Sequence, residues 1–193
     1  SPFNITPTTD GDTFEVTAEL IDGTVIDFET INFSIENTPP SLPLSDDFTY
    51  GNGNLVPSGG WTNFSGGAGG NLLVSSGQAV VEHGVPDEDA ELEFQPVSGN
   101  VFYAFDFSVD DLGAPYSGTD FEYFAMFKDD GFNYAARIDI VAPSSTGDFS
   151  VGIASDESTA DAVWATDLTF GTTYRAIVRF NQDTNQAELW IDA

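Results

Sequence analysis

Hydrophobic and polar positions alternate along much of this chain, and most cleanly at its end, GTTYRAIVRFNQDTNQAELWIDA, residues 171 to 193. Tyr174, Ala176, Val178 and Phe180 share one face of an extended run, with Arg175 and Arg179 on the other. Beyond the polar connection Asn181 to Gln186, Ala187, Leu189 and Ile191 oppose Glu188, Trp190 and Asp192. A side-chain period of two on either side of an Asn/Asp connection predicts a β-hairpin with one face built for a core. Nothing after the second strand caps it, so the hairpin reads as part of a sheet that further strands would complete. With Ser1-Pro2 at the other end, the expectation is a segment of a longer polypeptide.

The same alternation recurs upstream. TFEVTAEL at 13 to 20 and TINFSIE at 30 to 36 predict half-buried antiparallel strands, with Asp22-Gly23 as a turn between them. NTPPSLPLS, residues 37 to 45, places three Pro in a short polar stretch and reads as a semi-rigid connector. The expected organisation is therefore a β segment at 1-37, a Pro-rich linker at 38-45 and a larger β-domain at 46-193. In the last, strands are predicted around Phe48, at Leu72 to Ser75, Gln78 to Glu82, Val101 to Val109, Phe121 to Lys128, Tyr134 to Ala142 and Phe149 to Ala154, and in the terminal hairpin. Glycines punctuate the gaps and no helical stripe is sustained, so the fold class is all-β, an antiparallel β-sandwich of two sheets. Phe102, Phe124 and Met126 are assigned to its core.

Composition narrows the partners. Hydrophobic residues make up 40% of the 193 and include 17 Phe, enough for a substantial core. Against 32 acidic residues stand only Lys128, Arg137, Arg175 and Arg179, a formal charge of −28. Such a field repels phosphate, which argues against nucleic acid and anionic membrane, and attracts divalent cations. There is no Cys and no apolar run long enough to span a bilayer.

The closing sequence FGTTYRAIVRFNQDTNQAELWIDA, with its Gly-Thr turn, Tyr-led strand, Asn/Asp turn and final aliphatic-Asp pair, resembles the laminin-G-like modules among the concanavalin-A-like jelly rolls. LSDDFTY after the proline linker resembles the opening strand of such modules in secreted and surface proteins of marine Bacteroidetes-like bacteria. SPFNITPTTDGDTFEVTAELID resembles the closing strands of the immunoglobulin-like repeats found beside them. The resemblance implies a jelly roll preceded by the end of an immunoglobulin-like repeat, and an extracellular or cell-surface location. It also implies a structural calcium between the first and closing strands, which here points to Asp46 or Asp47 with Asp192. Further strands normally follow the LWID position in such folds.

Calcium takes six to eight oxygen ligands, and besides those residues the chain carries Asp10-Gly11-Asp12, Asp110-Asp111 and Asp129-Asp130 at turns, where Asp is also a plain turn former. Glycosidases resembling laminarinases carry Glu-x-Asp-x-x-Glu on a strand, and the nearest run here, DEDAELEF at 87 to 94, does not match. It places Asp87, Asp89, Glu91 and Glu93 on one face, which reads as a solvated strand surface. His83 is the sole histidine and has no nucleophile elbow beside it, while uronate-cleaving lyases of this fold need clustered Arg, Gln, His and Tyr. No catalytic residue is assigned. Trp61, Tyr116 and Trp164 sit in loops, and DLGAPYSGTD and DESTADAVWATD are the longest of these. Aromatic rings on a rigid sandwich can stack on the apolar face of a sugar, or fold back to cap its ends.

The function expected is non-catalytic recognition of a polysaccharide or surface glycan, with a structural spacer as the alternative and a glycoside hydrolase or polysaccharide lyase third. If no further strand follows, the exposed edge at Ala187 to Asp192 predicts a strand-pairing partner.

Overall fold

The computed structural model describes residues 39–82, 87–118 and 123–192. The alternating runs at 13 to 20 and 30 to 36, the Asp10-Gly11-Asp12 turn and His83 lie outside the described residues. The chain divides into two compact units, Ser1–Asp46 together with Leu92–Gln95, and Asp47–Glu91 together with Pro96–Ala193. In the first, the Gln95 N–H donates to the Pro40 carbonyl at 2.9 Å.

The second unit is essentially all-β. Its strands are β1 (Gly53–Asn54), β2 (Thr62–Ser65), β3 (Leu73–Ser75), β4 (Gln78–Val80), β5 (Asp89–Glu91), β6 (Asn100–Phe107), β7 (Tyr123–Lys128), β8 (Tyr134–Val141), β9 (Ser150–Ala154), β10 (Ala162–Val163), β11 (Tyr174–Asn181) and β12 (Gln186–Asp192). Two antiparallel sheets carry the core, one ordered β10-β9-β8-β7 and the other β12-β11-β6; β1-β3-β4 and β2-β5 form smaller ones. Phe48, expected in a strand, lies outside any; it has a φ of 52° and its ring stacks on Trp61 at 6.1 Å.

Alternation decides which side chains enter the core. Ala136 and Ile138 from β8, Val151 and Ile153 from β9, and Tyr174, Ala176 and Val178 from β11 are buried together with Phe149 and Leu168. Tyr103, Phe105 and Phe107 of β6 and Ala187, Leu189 and Ile191 of β12 pack against them, so the inner faces of the two larger sheets meet as a β-sandwich. Tyr174, Ala176 and Val178 face inward as their spacing predicts, and so do Ala187, Leu189 and Ile191. Phe102 corrects the sequence reading. The inward set of β6 is odd-numbered, which turns Phe102 outward with 57% of its surface exposed. Phe124 does pack on the core.

Acidic side chains hold the loops. Glu88 is 5% exposed; one oxygen accepts from the Leu72 N–H at 2.7 Å, and the other from the Nδ2 groups of Asn63 and Asn71 at 3.2 and 3.4 Å. Next to it, Asp87 accepts from the N–H groups of Gly67 and Gly69 at 3.0 and 2.7 Å. Gly66 is required where this loop meets the chain, because its φ is +69° and a Cβ would come within 1.7 Å of the Asp87 carbonyl oxygen. Asp167 similarly accepts from the N–H groups of Ser144 and Ser145, both at 2.7 Å, and these bonds hold its carboxyl below the usual range. In the acidic run at 87 to 94, Asp87, Asp89 and Glu93 are exposed as a solvated face requires, while Glu88, of the opposite parity, is buried. Beyond Glu88, Glu91 pairs with Lys128 at 2.7 Å.

Candidate functional site

A groove of about 430 Å³ is lined by β10 and the Trp164 that follows it, at the edge of one larger sheet, and by β12, at the edge of the other. Ile153, Ala187 and Leu189 belong to its lining and supply apolar surface. Val163, Trp164 and Trp190 line it as well, with Glu188 among them. Trp164 follows β10 directly, and its backbone is fixed to β9. Its N–H donates to the Val151 carbonyl at 2.8 Å, and its own carbonyl accepts from the fully buried Ser150 hydroxyl at 3.0 Å. The indole packs partly against the core. Trp190 is 44% exposed, and Glu188 is held by Arg179 at 2.7 Å, which fixes the carboxylate's orientation.

The loop after β9 ties one sheet to the other near this groove. Ala187 N–H donates to the Ser155 hydroxyl at 3.1 Å, and the Asn185 amide donates to Asp156. Ser155 N–H donates in turn to Asp161 at 2.7 Å. Since the Ala187 N–H points away from β11, the strand's alternation turns the peptide groups of Leu189 and Ile191 the same way, along an open edge. Rigid indoles, an oriented carboxylate and backbone donors are what a sugar ring needs for stacking and hydroxyl recognition.

Of the aromatic residues singled out in the sequence, the structure brings only Trp164 to this groove. Trp61 is half-buried and stacked on Phe48. Tyr116 packs partly against the core, with its N–H donating to the Asp148 carbonyl at 2.7 Å. Trp190, whose place opposite Leu189 and Ile191 in the alternation suited packing beneath further strands, lines the same groove as Trp164. Asp47 accepts from the Thr49 N–H and hydroxyl at 3.2 and 2.8 Å, and Asp192 lies opposite Arg175 in the ladder. Among the described residues no group of three or more His, Cys, Asp or Glu side chains is gathered as a metal ion would require. Asp111 and Asp129 each accept a backbone N–H two residues on, as turn formers do.

A second polar cluster lies across β7 and β8. The Arg137 guanidinium sits 4.8 Å from the centre of the Tyr123 ring and 5.2 Å from that of Tyr134. Asp139, 3% exposed and opposite Tyr123 in the ladder, has one oxygen without a hydrogen-bond partner among the described residues. Burial pushes its carboxyl up to about 6, with Arg137 opposing. Burial, and then the Asp139 charge, raises Tyr103, whose hydroxyl donates to the Ala136 carbonyl at 2.5 Å. A single raised carboxylate is the equipment of a proton donor, but glycoside hydrolysis takes two carboxyl groups across the scissile bond.

Among the described residues, no helix is long and apolar enough to cross a membrane. Comparison of the chain with protein-family models, with curated proteins and with solved structures finds no match.

Proposed function

We propose that this chain is a non-catalytic glycan-recognition module, built on a concanavalin-A-like jelly roll and carried by a secreted or cell-surface protein. The observation that supports the reading best is the groove between β10 and β12, where Trp164 and Trp190 flank apolar side chains and an oriented carboxylate. A pyranose offers complementary chemistry, with C–H groups for the indole faces and hydroxyls for Glu188 and the open backbone edge.

Calorimetric titration with soluble gluco-, manno- and xylo-oligosaccharides, with and without calcium, tests this reading. At least one series binds, and Trp164→Ala weakens it by roughly tenfold or more, the effect expected of an anchoring aromatic. The reading is wrong if no series binds, or if Trp164→Ala binds as the parent does. The calcium arm separately tests Asp46, Asp47 and Asp192 as cation ligands.

The open edge of β12 favours one second reading, addition of an extended peptide strand beside Leu189 and Ile191. It predicts capture of a peptide ligand that survives Trp164→Ala, because backbone hydrogen bonds carry strand addition.

A further inference from the structure

The outward face of the β12-β11-β6 sheet is unusual for so acidic a chain. Phe102, Ile177 and Trp190 are 57%, 37% and 44% exposed there. The ladder places Ile177 between Ala104 and Trp190, and Arg179 between Phe102 and Glu188. Arg175, in the remaining row, lies between Asp106 and Asp192. The charges of this face are largely matched. Arg179 pairs with Glu188 at 2.7 Å and Arg175 with Asp106 at 3.1 Å. Two of the chain's four cations stand here against the three carboxylates of Asp106, Glu188 and Asp192, leaving a single net negative charge in a molecule of −28.

We infer that this face is a docking surface for an uncharged, insoluble polysaccharide, reached from the groove around the β12 edge through Trp190. The inference rests on the glycan reading above and extends it from a single sugar-binding groove to a platform. Trp190 belongs to both surfaces, lining the groove and standing in the ladder row of Ile177. Phe102 lies on β6, two strand spacings and one two-residue step away, about 12 Å from Trp190 by strand geometry. That distance is too long for both rings to share one sugar, so a sheet face bearing them suits a chain or a packed array of chains. Both arginines are engaged by carboxylates, which leaves the face without a free cation for a sulfate or uronate, while the field of the rest of the molecule repels polyanions. The same self-repulsion opposes a second copy of this chain as occupant.

Sedimentation of the protein with washed microcrystalline cellulose, chitin and curdlan tests the inference, with Phe102→Ala and Ile177→Ser as the variants. Both positions are exposed, so folding is preserved, and circular dichroism checks it. One of these polymers pulls down the parent protein in a manner insensitive to salt, and each variant loses roughly tenfold in binding. Neither variant changes affinity for a soluble oligosaccharide held in the groove. Binding to none of the polymers, or full binding by Phe102→Ala, overturns the inference. So does a parent protein that sediments as a dimer and becomes monomeric in Phe102→Ala, since the face is then a self-interface. Failure of the groove shows instead in Trp164→Ala with soluble sugars, so the two readings fall separately.

Discussion

Ile177 on β11 stands directly opposite Trp190 on β12, and both point away from the core that Leu189 and Ile191 enter from the same strand. A strand at the rim of a sandwich thus serves three surfaces. Its odd residues contribute to the core, its even residues form an outer face, and its outer backbone edge, where the Ala187 N–H is held by Ser155, borders the groove. The strict alternation of QAELWID makes this division possible, since a one-residue slip would bury Glu188 and expose Leu189.

Two phenylalanines of one sandwich should differ sharply in their contribution to stability. Phe149 is fully buried and stacked on Phe170 at 5.6 Å, whereas Phe102 is mostly solvent-exposed. Phe149→Ala is expected to cost about 3–5 kcal/mol through lost burial and an unfilled cavity, and Phe102→Ala less than about 1 kcal/mol. Urea denaturation of both variants measures the difference. Equal losses would contradict the inward assignment of the odd-numbered residues of β6.

The terminal hairpin was legible in the sequence because Arg175, Arg179, Glu188 and Asp192 mark the outward parity of its strands, even though Ile177 and Trp190 interrupt the polar side. Strand β6 was harder to read. NVFYAFDF carries apolar side chains at Val101, Phe102 and Tyr103 in succession, and the run alone does not say which parity faces inward. The pairing of Phe102 with Arg179 answers that, and the pairing is a long-range fact. Trp164 was visible as a loop aromatic, but only the fold brings it to the same groove as Trp190. Glu88's role was not legible because its partners, Asn63 of β2 and Asn71 and Leu72 at the end of the glycine-rich loop after it, are distant in sequence and no local period connects them to it.

Glu88 is the fastening of that loop, so its loss should be costly despite the abundance of other carboxylates. Glu88→Ala empties a buried site and leaves the Leu72 N–H, at a half-buried position, without its acceptor, while the exposed Asn63 and Asn71 amides can turn to water. The expected destabilisation is about 2 kcal/mol by chemical denaturation, from the lost bonds to the carboxylate and the orphaned Leu72 donor. Glu93→Ala, at an exposed position of the same acidic run, should fall within about 0.5 kcal/mol of the parent. A loss below about 1 kcal/mol for Glu88→Ala would show that water replaces these bonds freely.

Asp139 makes a prediction about pH whose sign is opposite to that of most acidic residues. Burial raises its carboxyl in the folded chain to about 6, against an ordinary value of 3.8, and Arg137 only partly offsets that. Below the ordinary value both folded and unfolded chains hold the proton, and the group does not oppose folding. As pH rises through the interval the unfolded chain ionises first, so the folded state loses relative stability until the folded group also ionises near 6. Asp129 and Asp167 act the other way, because hydrogen bonds lower them and their contribution is lost as pH falls. A bare stability profile mixes these slopes; the difference between the parent and Asp139→Asn isolates one. Urea midpoints measured from pH 4 to pH 7 should show the parent losing stability relative to Asp139→Asn as pH rises, with the difference levelling off above the folded value. A difference that is flat over this range, or that grows in the parent's favour, would mean that Arg137 holds the charged carboxylate more firmly than burial disfavours it.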